Sequence, residues 1–279
     1  MKKFNVGIQL YGVREAMAAD FEGTLKAVKE MGYDYVEFAG YHGKTAEEIK
    51  EILDRIGLTC VSVHQGLDFY NDDAQKGIDY LKTFGVKYSI IPWYQLPTPA
   101  TPEWDETVAR FIGIAEKLRQ NGMKLGYHNH DFEFTETYEG KTKHDYIIEA
   151  LGLPLMFPEI DTCWVHYAGL RPEQKLRQFH GNVPVVHLKD FVCKNLASGP
   201  VYELIDKDGN SQKGASREDN GFEFCPLGRG RQNFAEILAA CEECGTETVI
   251  VEQDKTYDGM TELEAARIAR EYLRDTFGL

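Results

Sequence analysis

Strand-like and helix-like segments alternate eight times along this 279-residue chain, and no other feature restricts the fold as tightly. Short apolar runs at 6–10, 35–38, 60–63, 88–91, 124–128, 155–160, 183–188 and 249–251 read as strands. In the first, Val6, Ile8 and Leu10 share one face. Between them lie helical patterns with recognisable ends. Asp20 caps a helix over 21–31, and Thr45 with Glu48 has capping-box spacing ahead of the stripe Ile49, Ile52, Leu53, Ile56. Thr101-Pro102 starts a long helix that Gly122 stops, and Thr261 with Glu264 starts the last helix, 262–277. Strand–helix alternation of this kind predicts a parallel sheet. Eight units in 279 residues predict a closed (β/α)8 barrel formed as a single domain, 1–279. No G-x-G-x-x-G follows the first strand, so nothing points to a dinucleotide fold.

Composition narrows the functional classes. Hydrophobic residues make up 43% and charged residues 27%, the balance of a water-soluble globular chain. The net charge of −14, with no basic run, argues against a nucleic-acid partner. No apolar stretch approaches membrane-spanning length, and the first residues lack the pattern of a secretory signal. The expectation is therefore a cytoplasmic protein with no membrane partner. The cysteines, Cys60, Cys163, Cys193, Cys225, Cys241 and Cys244, then read as free thiols, with the C-x-x-C at 241–244 as two helix residues.

One segment breaks the rhythm. Residues 191–231, after the seventh strand, form a far longer connection than the usual two to six residues. They suggest an inserted β-hairpin with arms at 201–205 and 222–224 and a turn at Asp208-Gly209-Asn210. Such an insertion would emerge at the C-terminal face of the barrel, as a lid over a site or as a homo-oligomer contact.

In a barrel of this type the chemistry sits where the strands end at that face. The residues there are Gln9 and Tyr11; Glu37; His64; Trp93; His128, His130 and Glu133; Glu159 and Asp161; His187 and Lys189; and Glu252 and Asp254. Each has a bland explanation: Asp161 as a helix cap, His187 as a satisfied core histidine, Glu252 as a salt-bridge residue, Trp93 as a core plug. His42, His144 and His180 read as surface or loop residues. Carboxylates and imidazoles converging from strands five to eight are costly unless paired. A single divalent cation (Mn²⁺, Mg²⁺, Zn²⁺ or similar) resolves that crowding, and the lack of Cys donors argues against a structural zinc.

The blocks Tyr127-His128-Asn129-His130-Asp131-Phe132-Glu133-Phe134, Glu159-Ile160-Asp161-Thr162, His187-Leu188-Lys189-Asp190 and Val251-Glu252-Gln253-Asp254 resemble those of xylose-isomerase-like barrels of the sugar phosphate isomerase/epimerase group. That group includes ketose 3-epimerases, hydroxypyruvate isomerase and inosose dehydratase. The resemblance implies metal ligands Glu133, Asp161, His187 and Glu252, with His130 as the alternative to Glu133. If the fifth strand alternates through Asn129, His128 and His130 share a face and Glu133 falls on the other. The resemblance further implies a sugar or sugar-derived substrate, an enediolate intermediate, and Glu133 with Glu252 as the acid–base pair. His64 and His130 are expected to orient hydroxyls or exchange protons, with His128 beside the substrate. Trp93, Phe69 or Tyr11 would stack on a sugar face. Lys189, Arg229 and Arg231 are the candidates for a phosphate, beside a two-glycine loop at Pro226–Gly230. Dehydration or β-elimination remains the alternative to isomerisation. A metal phosphodiesterase or a non-catalytic sugar-binding protein stands further off.

Overall fold

All eight expected strands form. They are Asn5–Gln9, Tyr35–Phe38, Thr59–His64, Tyr88–Ile91, Lys124–His128, Met156–Asp161, Val185–Leu188 and Thr248–Val251. The computed structural model describes residues 4–71, 74–196, 204–205, 211–212 and 220–279. Every neighbouring pair in the barrel is parallel, and the first strand bonds to both the second and the eighth, so the sheet closes. The helices begin where the capping residues place them. Asp20 accepts from Gly23 N, and full capping boxes form at Thr45/Glu48 and Thr261/Glu264. Their apolar stripes pack on the outer faces of the strands and join the main core.

The lumen is built in floors, because side chains of one strand face it at every second residue. The bottom floor is apolar: Val61, Ile90, Phe157, Val185 and Ile250 pack together as a separate cluster, with Tyr35 and Tyr88 against it. Gly126 faces this floor, and a Cβ there would lie 2.7 Å from Phe157 Cζ and 2.8 Å from Ile90 Cγ1. Its missing side chain is the space that Phe157 fills. Two residues further along, the same strands carry Glu159, His187, Glu252 and His128 into the lumen.

The insertion pairs differently from expectation. Leu204–Ile205 forms an antiparallel ladder with Ser211–Gln212, not with the segment near 223. The proposed turn at 208–210 lies outside the described residues. Glu223–Cys225 instead returns to pair with Asp190–Val192, directly above the seventh strand. The reason is burial. Phe222 and Phe224 enter a second small core with Cys163, Trp164, Tyr167 and Phe191, and Phe222 stacks on Trp164 at 5.7 Å. A hairpin with residues 201–205 would not bring these rings to Trp164 and Phe191. The root of the insertion is thus tied to the end of the barrel that carries the polar residues.

His144 is also corrected. It lies fully buried in the helix Lys143–Leu151, its ring between Phe134 and Phe179. Burial lowers its pKa to about 4, which keeps it neutral. Among the described residues, no helix is long and apolar enough to cross a membrane.

Candidate metal centre

The polar floors hold two overlapping sets of ligand atoms. In the outer set, His128, Asp161, His187 and Glu252 present donor atoms that all lie within 4.8 Å of one another. In the inner set, His64, His128, Glu159 and His187 do the same. The two imidazoles common to both lie between them. His187 Nδ1 is 2.9 Å from Glu252 Oε2, while its Nε2 is 2.7 Å from Glu37 Oε1 and 3.3 Å from Glu159 Oε1. His128 Nδ1 is 3.1 Å from Glu159 Oε2, and its Nε2 is 3.7 Å from Asp161 Oδ2. His64 Nε2 lies 2.8 Å from Glu159 Oε2 and 3.1 Å from Glu37 Oε1.

Local structure explains how each group gets there. Asp161 ends its strand and caps the helix Thr162–Tyr167, its Oδ1 accepting from Cys163 N at 2.8 Å and Trp164 N at 3.2 Å. The capping explanation is therefore correct for one oxygen only. The buried Oδ2 accepts no hydrogen bond and lies 3.4 Å from Lys189 Nζ. Glu37 is held from below: Gln9 Nε2 donates to its Oε1 at 2.7 Å and the Ser62 hydroxyl donates to its Oε2. Lys189 is fully buried, 2.7 Å from Asp254, 3.0 Å from Glu252, and over the rings of Trp164 and Phe224.

The electrostatics follow from crowding. Burial alone would raise Glu252 and Glu159, but Lys189 and His187 hold Glu252 well below the usual carboxylate range, and His187 and His64 do the same for Glu159. Glu37 is raised by burial and by the charge of Glu159. Asp161 is raised to about 7, chiefly by burial. Burial lowers His128 to about 4, so it offers a neutral ring. Five carboxylates (Glu37, Glu159, Asp161, Glu252 and Asp254) thus surround one permanent cation, Lys189, among the described residues of the site. The chemistry of the donors and the unbonded Asp161 Oδ2 fit a divalent cation in the outer set.

Above this set opens a cavity of about 420 Å³ whose wall includes Tyr11, His64, Trp93, His130, Lys189 and Asp254. Trp93 is 51% and Tyr11 44% exposed, so Trp93 is no core plug. Of the residues singled out in the sequence, Asp161, His187, Glu252, His128, His64 and Lys189 come together, and His130 and Trp93 stand on the cavity wall.

Glu133, Arg229, Arg231 and the glycine loop do not join them. Glu133 lies in neither ligand set. The chain turns after His130 into the short helix Phe132–Thr135, and the Glu133 carboxylate folds back to accept from His130 N at 2.7 Å and from the Tyr127 hydroxyl at 2.9 Å. It stays on the Tyr127 face of the strand, opposite His128, and burial pushes it up to about 8. Arg229 is not part of the cavity wall, and its guanidinium lies 3.9 Å from Met260 Sδ. Arg231 is spent on the Cys193 carbonyl. The amides of the glycine loop are also taken: Asp190 Oδ2 accepts from Gly228 N and Gly230 N, and its Oδ1 from Gln232 N, at 2.9–3.1 Å. Sequence reasoning underrated Glu159 and Glu37. Glu159 stands two residues before Asp161 and so on the same face, and Glu37 is the one charged residue of its strand.

A search of curated proteins finds no match to the chain. Solved structures match its fold. A sugar phosphate isomerase/epimerase from Parabacteroides distasonis superposes with a TM-score of 0.76 at 18% identity, covering 99% of this chain and 96% of that one. The IOLI protein with a binding zinc atom gives 0.70 at 16% identity over 98% and 97%. The probable 3-DHS dehydratase AsbF from Bacillus anthracis gives 0.68 at 16% identity over 99% and 100%. At these identities the likeness speaks for the fold alone. A family model extends the match to sequence: over residues 25–276, nearly the full circuit of the barrel, the chain belongs to the xylose isomerase-like TIM barrel family.

Proposed function

We propose that the protein is a metal-dependent isomerase or epimerase of an unphosphorylated sugar, acting through an enediolate. The observation that carries this reading is the outer set of His128, Asp161, His187 and Glu252 at the base of an open cavity with two exposed aromatic rings. His128 takes the place expected for Glu133. A divalent cation bound there supplies Lewis acidity to a carbonyl and its neighbouring hydroxyl. The zinc in the structurally similar IOLI protein agrees with such a site.

The chain's own groups account for the rest. Glu252 is ionised and lines the cavity. Its Oε2 faces His187 Nδ1 and accepts from Lys189, while its Oε1 accepts no hydrogen bond among the described residues and takes the substrate C–H proton. His130, on the opposite wall, returns a proton to the other face. Trp93 and Tyr11 offer flat apolar surfaces to the C–H face of a sugar ring. Asp190 fills the glycine loop, and Arg229 and Arg231 are not part of the cavity wall. Lys189 is the lysine or arginine among the described residues lining the cavity, and it is already held by carboxylates, so a phosphate dianion there would meet Glu252 and Asp254.

Elimination is the second reading. His130 on the cavity wall is placed to protonate a departing hydroxyl or alkoxyl group. The test is incubation of ketoses, inososes and keto-glycosides in D₂O with Mg²⁺ or Zn²⁺, followed by NMR. Deuterium entering next to the carbonyl of one of them supports the common first step, and the product distinguishes isomerisation from elimination. No exchange in any of them, at any metal loading, removes the proposal.

A further inference from the structure

His128 and His187 each have one ring nitrogen in the outer ligand set and one in the inner set. A neutral imidazole has a single lone pair and a single N–H. The two sets therefore cannot both be filled by cations while both rings stay neutral. Whichever nitrogen carries the hydrogen decides which set is a metal site and which is a hydrogen-bonding scaffold.

We infer that Glu37 and Glu159 are positioning residues that fix the tautomers of the two rings, so that His187 meets the cation through Nδ1 and His128 through Nε2. This rests on the metal-site reading above. The two rings use opposite nitrogens because they approach from different strands, with the two carboxylates beneath both. Glu37 cannot serve as a mobile ligand. Its Oε1 accepts from Gln9 at 2.7 Å, its Oε2 accepts from Ser62, and the residue is fully buried. It stays an acceptor, and His187 Nε2 at 2.7 Å is its donor. Glu159 is likewise fully buried, and its Oε2 faces both His128 Nδ1 at 3.1 Å and His64 Nε2 at 2.8 Å. Glu159 Oε1 and Asp161 Oδ2 both lack a hydrogen bond, but Asp161 stands two residues nearer the strand's C-terminal end and Glu252 lines the open cavity, so these two turn to a cation on the cavity side. His64, parallel to His187 at 5.2 Å, completes the scaffold as a further donor to Glu159 and is not a ligand. A ligand imidazole whose other nitrogen is anchored on a carboxylate is both better oriented and more basic. The outcome is one cation per chain, held on the cavity side.

The test uses the full-length protein with ¹⁵N-histidine, saturated with Zn²⁺ as a diamagnetic probe. Long-range ¹H–¹⁵N spectra show which nitrogen of each ring keeps its hydrogen. The expected result is Nε2–H on His187, Nδ1–H on His128, and one zinc per chain by elemental analysis. Zinc bound through the reversed nitrogens, or two zinc ions per chain, overturns this inference and leaves the metal-site reading standing. No zinc bound, or zinc bound with both rings uncoordinated, overturns both. Glu37→Gln gives a second readout by chelator competition: a roughly 10- to 100-fold loss of Zn²⁺ affinity, with His187 showing a mixture of tautomers. Unchanged affinity with the same single tautomer in folded Glu37→Gln overturns the role of Glu37. If that variant does not fold, the spectra of the unaltered protein still decide the question.

Discussion

Two floors of the same lumen, two residues apart on the same strands, behave as different materials. The sixth strand passes from Phe157 to Glu159 to Asp161, the seventh from Val185 to His187 to Lys189, and the eighth from Ile250 to Glu252 to Asp254. The lower floor is an apolar cluster shaped to the gap left by Gly126. The upper floors are nearly as buried but carry five carboxylates against one lysine among the described residues. The lower floor contributes stability by burial and packing. The upper floors cost stability, because crowded charges lose water and repel one another. The difference teaches that the barrel base carries the rim: a site of this kind is tolerated only on a closed and well-packed foundation.

That division can be broken from either side. The largest effect is expected for Glu252→Gln, which should lower turnover by about 10²- to 10⁴-fold with an unchanged far-UV circular dichroism spectrum; retained activity in steady-state kinetics would remove Glu252 from the mechanism. Next is Phe157→Ala in the lower floor, which should cost about 3–5 kcal/mol in urea denaturation and leave Zn²⁺ affinity within about twofold. Glu159→Gln, one step up the same strand, removes a carboxylate held by His187 and His64 and so should cost the metal-free protein some stability, but less than Phe157→Ala, since Gln keeps the shape and an acceptor oxygen while the truncated phenylalanine leaves a cavity. A larger loss for Glu159→Gln than for Phe157→Ala would invert the comparison.

Glu133 sharpens the contrast because it is a buried carboxyl outside the site. Its pKa is raised in the fold to about 8, so its contribution is fully present below the unfolded value near 4.5 and is lost as pH rises through 8. Glu133→Gln should therefore gain stability relative to the unaltered protein between pH 6 and pH 9, reaching about 1–3 kcal/mol at pH 9. Thermal unfolding at three pH values checks this, and a pH-independent difference would contradict it. The smallest effect is expected for Trp93→Ala: KM higher by roughly two- to tenfold and stability changed by about 0.5 kcal/mol or less, measured by kinetics and thermal melts.

Much of the site was legible because the period of a strand is two and the chemistry sits at strand ends. Asp161, His187 and Glu252 each follow an apolar run directly, and the structure brings them together. His128 and His130 follow from the same alternation, which also puts Glu133 on the opposite face. Glu133 misled because the resemblance named a glutamate there, whereas its position is set by a turn into a four-residue helix and by the Tyr127 hydroxyl. Glu37 was underrated because its partners, Gln9, Ser62 and His187, lie 25 to 150 residues away in sequence. Arg229 and the glycine loop pointed to phosphate because composition cannot reveal that Asp190 already occupies the loop's amides.

The sequence by itself determined the eight-fold strand–helix order, the helix caps and which residues could reach the C-terminal face, because these depend on local periodicity and on side-chain hydrogen bonds within one turn. Tertiary structure alone decided which of those residues bring their donor atoms together, which nitrogen of each imidazole faces which carboxylate, and where the insertion returns. Those outcomes depend on barrel closure and on distances between strands far apart in the chain, which local pattern does not encode.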